Sequence, residues 1–294
     1  MMNEERKPQE YDVVLGGNNS PPLDGLVLGG IEGVKRRFDK ANSEEDKITL
    51  LKEALKYSEV GEDWLFEILE TKTGDILWES FNLLWKIFDD NQRQQLIKYF
   101  PKLIKDDVHK WNIWRIDNPN IQLDLSNTDF YKANLSCINL SNINLSKSNF
   151  IQANLSNSNL SNSNLSWANL SEAILNHTDL SFADLSNTYL MNSELYYANL
   201  DRANFHNSIL TGSNLSWGKL NNTKFKNADL SWANLTKANL YNANLTRANL
   251  YQSNLTHVVF QETNISWANF EGANIDRVHI REKIDWDYYE SSCE

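Results

Sequence analysis

A large apolar residue falls on every fifth position from Leu125 to Ile280, and that beat constrains the fold more than any other feature of the chain. Its 32 centre positions hold 23 Leu, 6 Phe and 3 Ile, without a slip. Two residues before each centre stands Ala, Ser, Thr or Gly in 27 of 32 cases, and one residue before stands Asn or Asp in 24. The unit is written plainly in Ala233-Asn234-Leu235-Thr236-Lys237. A helix repeats near ~3.6 residues and a half-buried strand at about 2, so a period of five belongs to neither. Residues 121–280 are therefore a repeat array.

The side chains say what five residues do. A small inward residue, then Leu two positions on, makes a short extended segment with two buried contacts. The remaining positions are polar, and Asn or Asp suits a bend because its side chain bonds nearby backbone and tolerates unusual dihedrals. Burying a Leu contributes ~1.5–3 kcal/mol, while ordering each residue's backbone costs ~1–2 kcal/mol. One Leu in five cannot fold a lone turn, so stacking between turns must supply the rest and the ends need caps. The larger inward residues, Leu123, Ile138, Ile143, Val258 and Val278, fall only near the two ends.

The Ala/Ser-Asn-Leu-x-x unit over more than half the chain closely resembles the pentapeptide-repeat family. The resemblance implies that four units form one square turn and that successive turns stack as a right-handed quadrilateral β-helix. The 32 units then make eight coils, a rod about 38 Å long at the spacing between strands. Phe130 and Phe150 lie 20 residues apart, as do Phe205 and Phe225, so each pair is expected to stack on one face. Leu165, Leu185 and Phe205 should likewise share a face.

Before the array the period is helical. Ile48, Leu51 and Leu55 share a face behind a start signal at Ser43 and Asp46. Helices are also expected over 62–71, 75–88 and 91–100, the last stopped by Pro101. Short amphipathic helices with short links resemble a HEAT-like or armadillo-like pair. The segments Tyr11-Asp12-Val13-Val14-Leu15-Gly16-Gly17 and Leu28-Gly29-Gly30-Ile31-Glu32-Gly33-Val34-Lys35 resemble the head of modular cyanobacterial proteins, in which a helical segment precedes a repeat array. The expected organisation is an α+β multidomain chain. It has a glycine-rich loop segment (1–30), an α-helical module (31–107), a junction and N-terminal cap (108–120), the solenoid (121–280) and a C-terminal cap (281–294). The junction, with Trp111 and Trp114, shows neither period and is read as aromatic surface laid over the first coil's open edge. Asp285 to Tyr289 is read as covering the other end.

Charge and motifs narrow the function. Net charge is −11, of which the array carries −2, from 11 acidic and 9 basic side chains. No region as a whole is basic, which argues against a nucleic-acid partner. The glycine pairs at Gly16-Gly17 and Gly29-Gly30 fit neither phosphate-loop pattern, and they are read as loop. Cys137 and Cys293 form no framework, the charged start from Met1 to Lys7 is no signal peptide, and no apolar run spans a membrane. A cytoplasmic location is expected. The four array histidines are scattered, and His177 and His257, on one face, are ~19 Å apart at the strand spacing. No catalytic, metal or cofactor residues are assigned.

The informative positions break the repeat's own rule. Asn or Asp is missing before the centre at Ile174, Tyr189, Glu194, Ile209, Lys219, Lys224, Val259 and His279. The first four fall in coils three to five on adjoining faces. His177, Tyr197 and Trp217 lie two after a centre on one of those faces, and Tyr196 and Met191 stand beside them. The candidate protein-binding patch is Ile174, His177, Tyr189, Met191, Tyr196, Tyr197, Ile209 and Trp217. Two readings compete: an interface, or aromatics that stack outside the rod and stabilise it. Trp167, Trp232 and Trp267 stand singly. The expected function is a non-catalytic protein-interaction scaffold with an unidentified partner. The alternative carried by the family resemblance is a DNA-mimicking modulator of gyrase, but Lys219, Lys224, Lys226, Lys237 and Arg247 interrupt the sustained acidic face that mimicry needs.

Overall fold

The computed structural model describes residues 30–279. Both the glycine-rich segment and the expected C-terminal cap lie outside those residues, apart from Gly30. The described residues divide into two compact units with the boundary between Tyr99 and Phe100.

The first unit is helical: α1 (Gly30–Lys40), α2 (Glu44–Ala54), α3 (Ser58–Thr71), α4 (Gly74–Ile87) and the short α5 (Asp90–Arg93), which runs into a 3-10 segment, Gln94–Tyr99. The start signals act as read. Ser43 Oγ accepts the Asp46 N–H at 3.1 Å, and Asp89 and Gln92 form a reciprocal capping box. Val34, Leu51, Leu65, Leu69, Leu77, Phe81, Leu84 and Leu96 are fully buried between these helices. Gly61 lets α3 approach the end of α2, because a Cβ there would lie 2.0 Å from the Ala54 carbonyl oxygen.

The second unit opens with two helices, α6 (Phe100–Asp106) and α7 (Val108–Asp117). Both depart from expectation. Pro101 does not stop a helix but stands in the first turn of α6, where its missing N–H has no helical partner to lose. The junction is helical over α7, and its Trp111 and Trp114 pack with Phe100 at ring separations of 5.5 and 4.8 Å.

From Asp124 to His279 each residue before a centre pairs in parallel with the residue 20 further on, through all 28 possible bridges. That register fixes four units per coil, and it stacks Leu165, Leu185 and Phe205 through the Asn164–Asp184–Asn204 bridges. Residues 124–279 form a quadrilateral β-helix. We number its faces by their first centres: Leu125, Phe130, Leu135 and Leu140. Phe130 and Phe150 stack at 5.0 Å, as do Phe205 and Phe225. Leu123, Ile138, Ile143 and Val258 are buried inward as expected, while Val278 is half-buried in the last coil.

Two hydrogen-bond habits explain the unit. Asn or Asp before the centre accepts the N–H two residues on, as Asp179 Oδ1 does from Ser181 at 3.0 Å, which sets the corner. Where that residue is Asn, its amide also donates to the coil below, as Asn199 Nδ2 does to Asp179 Oδ1 at 2.9 Å. Inward Ser and Thr hydroxyls donate to main-chain carbonyls, as Thr178 does to Leu155 at 2.8 Å. Two residues after each centre, from position 127 to 277, the backbone is left-handed at all 31 corners. That region disfavours Cβ-bearing residues other than Asn and Asp.

The α7 helix replaces a coil that does not exist. Within the rod, a pre-centre residue turns both its N–H and its carbonyl to the coil below, as Asn159 N–H donates to the Ile138 carbonyl and Asn159 O accepts the Leu140 N–H. In the first coil Asn139 N–H goes to Asn112 Oδ1, and Asn139 O accepts Trp111 Nε1–H, each at 2.8 Å. Arg115 is buried beside them, donates to the Ser141 and Ile121 carbonyls, and has its pKa lowered by that burial. Among the described residues no helix is long and apolar enough to cross a membrane.

Candidate functional site

Corner residues two after a centre form columns along the rod, and one column is aromatic. His177, Tyr197 and Trp217 occupy successive coils at the corner between the third and fourth faces. Their rings stack at 5.4 and 5.3 Å with interplanar angles of 9° and 14°. Lys237, next in the column, holds its ammonium 4.1 Å from the Trp217 ring. Tyr196 sets its edge against Tyr197 at 4.5 Å and against His177 at 5.8 Å. The ring faces are thus largely turned on one another, while Tyr197 remains 41 % and Trp217 40 % exposed. The edges of these rings carry phenol, indole and imidazole groups that can donate hydrogen bonds.

The backbone under this column is at the left-handed corner, with φ of 59°, 56° and 59° at His177, Tyr197 and Trp217. Asn is the commonest residue at such corners in this rod, so three bulky rings carry a conformational cost of ~1–2 kcal/mol each that the repeat does not require. The Tyr197 hydroxyl is pushed above its ordinary pKa, first by burial against its neighbours and then by Tyr196.

The remaining patch residues do not join this cluster. Tyr189 and Ile209 are bridged neighbours on the second face, with Met191 at the corner that follows. Tyr189 and Met191 are exposed and Ile209 is half-buried. Ile174 is exposed on the third face and pairs with Glu194, which in turn accepts the Asn214 amide at 2.9 Å. Two apolar clusters therefore flank a third face that carries Ile174, Glu194 and Asn214. Glu194 cannot hold the corner as Asn would, and the Tyr196 N–H turns instead to Asn176 Oδ1 at 2.9 Å in the coil below.

Sequence reasoning missed Lys237 as the ladder's cap and Phe182, which is exposed and covered by Arg202 at 5.2 Å. Spacing by 20 was the available signal for both. Trp232 does not stand singly, since its ring meets Tyr251 at 5.9 Å. Among the histidines, His257 and His279 approach to 6.2 Å. Among the described residues no group of three or more His, Cys, Asp or Glu could hold a metal ion. In the helical unit an open groove is lined by Asp63, Phe66, Glu67, Glu70, Gln95, Lys98 and Tyr99. There the Tyr99 hydroxyl donates to Glu70 at 2.7 Å. Burial, then that bond, raises the Tyr99 pKa.

A parallel solenoid of five-residue units with left-handed corners and Asn ladders defines the class: a quadrilateral β-helix repeat protein. The family model described as Pentapeptide repeats matches it eight times in overlapping stretches from 124–162 to 238–277. The chain belongs to the pentapeptide-repeat family. It is similar to HetL, a pentapeptide repeat protein involved in heterocyst differentiation regulation from the cyanobacterium Nostoc sp. strain PCC 7120. That match has 25 % identity over 56 % of this chain and 94 % of that one, with a TM-score of 0.21. Rfr23 from the cyanobacterium Cyanothece 51142 is 35 % identical over 33 % of this chain and 63 % of its own, with a TM-score of 0.21. QnrB1, a plasmid-mediated fluoroquinolone resistance protein, is 16 % identical over 58 % of this chain and 94 % of its own, with a TM-score of 0.31. No curated protein matches the chain.

Proposed function

We propose that the chain is a non-catalytic protein-interaction module whose partner docks across the third face of coils three to five. The observation that carries this reading is the ring column at corners where Asn is the commonest occupant. Three rings in left-handed backbone cost more than the repeat needs, and their polar edges and the flanking Tyr189, Ile209 and Met191 offer a mixed surface of the kind interfaces use. An interface of this type needs no cofactor. The gyrase-mimic alternative asks for an acidic face along the whole rod, and the lysines after Lys219 oppose it.

The test is Tyr197→Asn with Trp217→Asn. Each lost ring contact is worth about 0.5–1.5 kcal/mol, and each relieved left-handed corner returns about 1–2 kcal/mol, so the melting temperature should barely move. Capture of the partner from source cells should fall to background. Leu195→Ala, a core control, should cost about 2–5 kcal/mol. A double variant that melts far earlier yet still captures the partner makes the rings a stabilising ladder and removes the site from this face.

A further inference from the structure

Charge along the rod is sorted. Residues 121–201 hold seven acidic and two basic side chains, whereas 202–247 hold six basic and one acidic, Asp229. Lys237 is committed to the Trp217 ring. The other five, Arg202, Lys219, Lys224, Lys226 and Arg247, are all exposed. Lys224 and Lys226 stand on the first face, Arg202 and Arg247 at the corners either side of it, and Lys219 on the fourth. This surface is centred opposite the third face and owes nothing to the rings. Among the described residues none of the five is paired with a carboxylate, and the ion pair present in the coils joins Arg277 to Asp276. Arg202 rests on the Phe182 ring instead. The neighbouring Asp201 is occupied, accepting both the Asn221 N–H at 3.2 Å and its amide at 2.8 Å.

Two of these cations break the repeat. Lys219 and Lys224 stand before their centres, where Asn or Asp would accept the N–H two residues on. At Lys219 the loss is made good from the coil below, by the Asp201 bond to Asn221. A fold that forgoes its own corner bonds to expose lysines, and places no acid against them, is arranged for an external anion.

We infer that this surface binds a short acidic peptide segment of a partner protein. Three coils span about 14 Å along the rod, which is about four extended residues. A longer polyanion would overrun the patch and meet Asp179, Asp184 and Asp124 in the coils below, on a chain whose net charge is −11. A short acidic segment avoids that repulsion, and its attraction to the lysines is strongest at low salt.

A fluorescently labelled oligoglutamate peptide, titrated into the full chain, is the probe. Binding is expected at low salt and should weaken as salt rises. Lys219→Asn and Lys224→Asn, combined with Lys226→Ser, return all three positions to the residues that the repeat favours. This triple variant should melt no lower than the parent and bind the peptide about tenfold more weakly. Tyr197→Asn with Trp217→Asn should bind it as the parent does, so failure of the third-face reading is distinguishable from failure here. The inference is overturned if the parent does not bind the peptide, or if the triple variant binds it equally. It is also overturned if the triple variant melts earlier, which makes the lysines structural. Tighter binding of a single-stranded oligonucleotide of equal charge overturns the assigned partner.

Discussion

At the scale of single residues, the rod runs on two rules, an inward Leu or Phe and a corner that accepts left-handed backbone. Trp167 violates the second rule with little return, because it is 55 % exposed at φ 64°. Asn187, Asn207 and Asn227 continue its column, with Asn207 Nδ2 donating to Asn187 Oδ1 at 3.3 Å and Asn227 Nδ2 to Asn207 Oδ1 at 3.1 Å. Trp167→Asn relieves the corner and extends that ladder, so it should raise stability by about 1 kcal/mol, read from thermal melting. Asp124 tests the corner bond itself. The Ser126 N–H and hydroxyl, with the Asn144 amide, hold its carboxyl below the ordinary value. A lowered folded pKa means stabilisation that is present above the unfolded value and lost as pH falls through the folded one. Melting of the parent should therefore drop toward that of Asp124→Asn as pH falls below about 3.9, while the variant shows less pH dependence in that range.

At the scale of elements, much of the rod was legible and the helical form of its lid was not. The period follows from spacing and the four-unit coil from the family resemblance, with which the 20-residue separation of the Phe pairs agrees, because every coil repeats one solution to the same packing problem. The α7 helix escaped because its apolar residues do not all face inward: Ile113 and Ile116 are exposed while Trp111, Trp114 and Arg115 are buried. A helix placed by the edge it covers need not show a clean stripe. Its Asn112 side chain stands in for a strand, bonding the Asn139 N–H and the Cys137 carbonyl, each at 2.8 Å. Asn112→Ala leaves both without that partner and should cost about 1–3 kcal/mol. Amide exchange should quicken first in the coil that carries Asn139.

At the scale of the whole molecule, the ladder His177–Tyr197–Trp217 was legible because its members are 20 residues apart. The gap across the third face is not, because the apolar residues read as one patch until the register sets Glu194 and Asn214 between them. Lys237 reads from sequence only as one of the rod's cations, since nothing marks it as the ladder's cap until its column is known. The rod and the helical unit are separate compact bodies, so the decisive experiment distinguishes a partner site on one from a site on the other. The direct test is site-specific photocrosslinking in the full chain with its captured partner. A benzophenone side chain is placed singly at Tyr197 on the ring column, at the exposed Lys147 after the first face of the second coil, outside the basic surface, and at Glu67 on α3. The third-face reading predicts a crosslinked partner from position 197 and none from 147 or 67. Crosslinking from 67 alone would contradict it and move the interface to the helical unit.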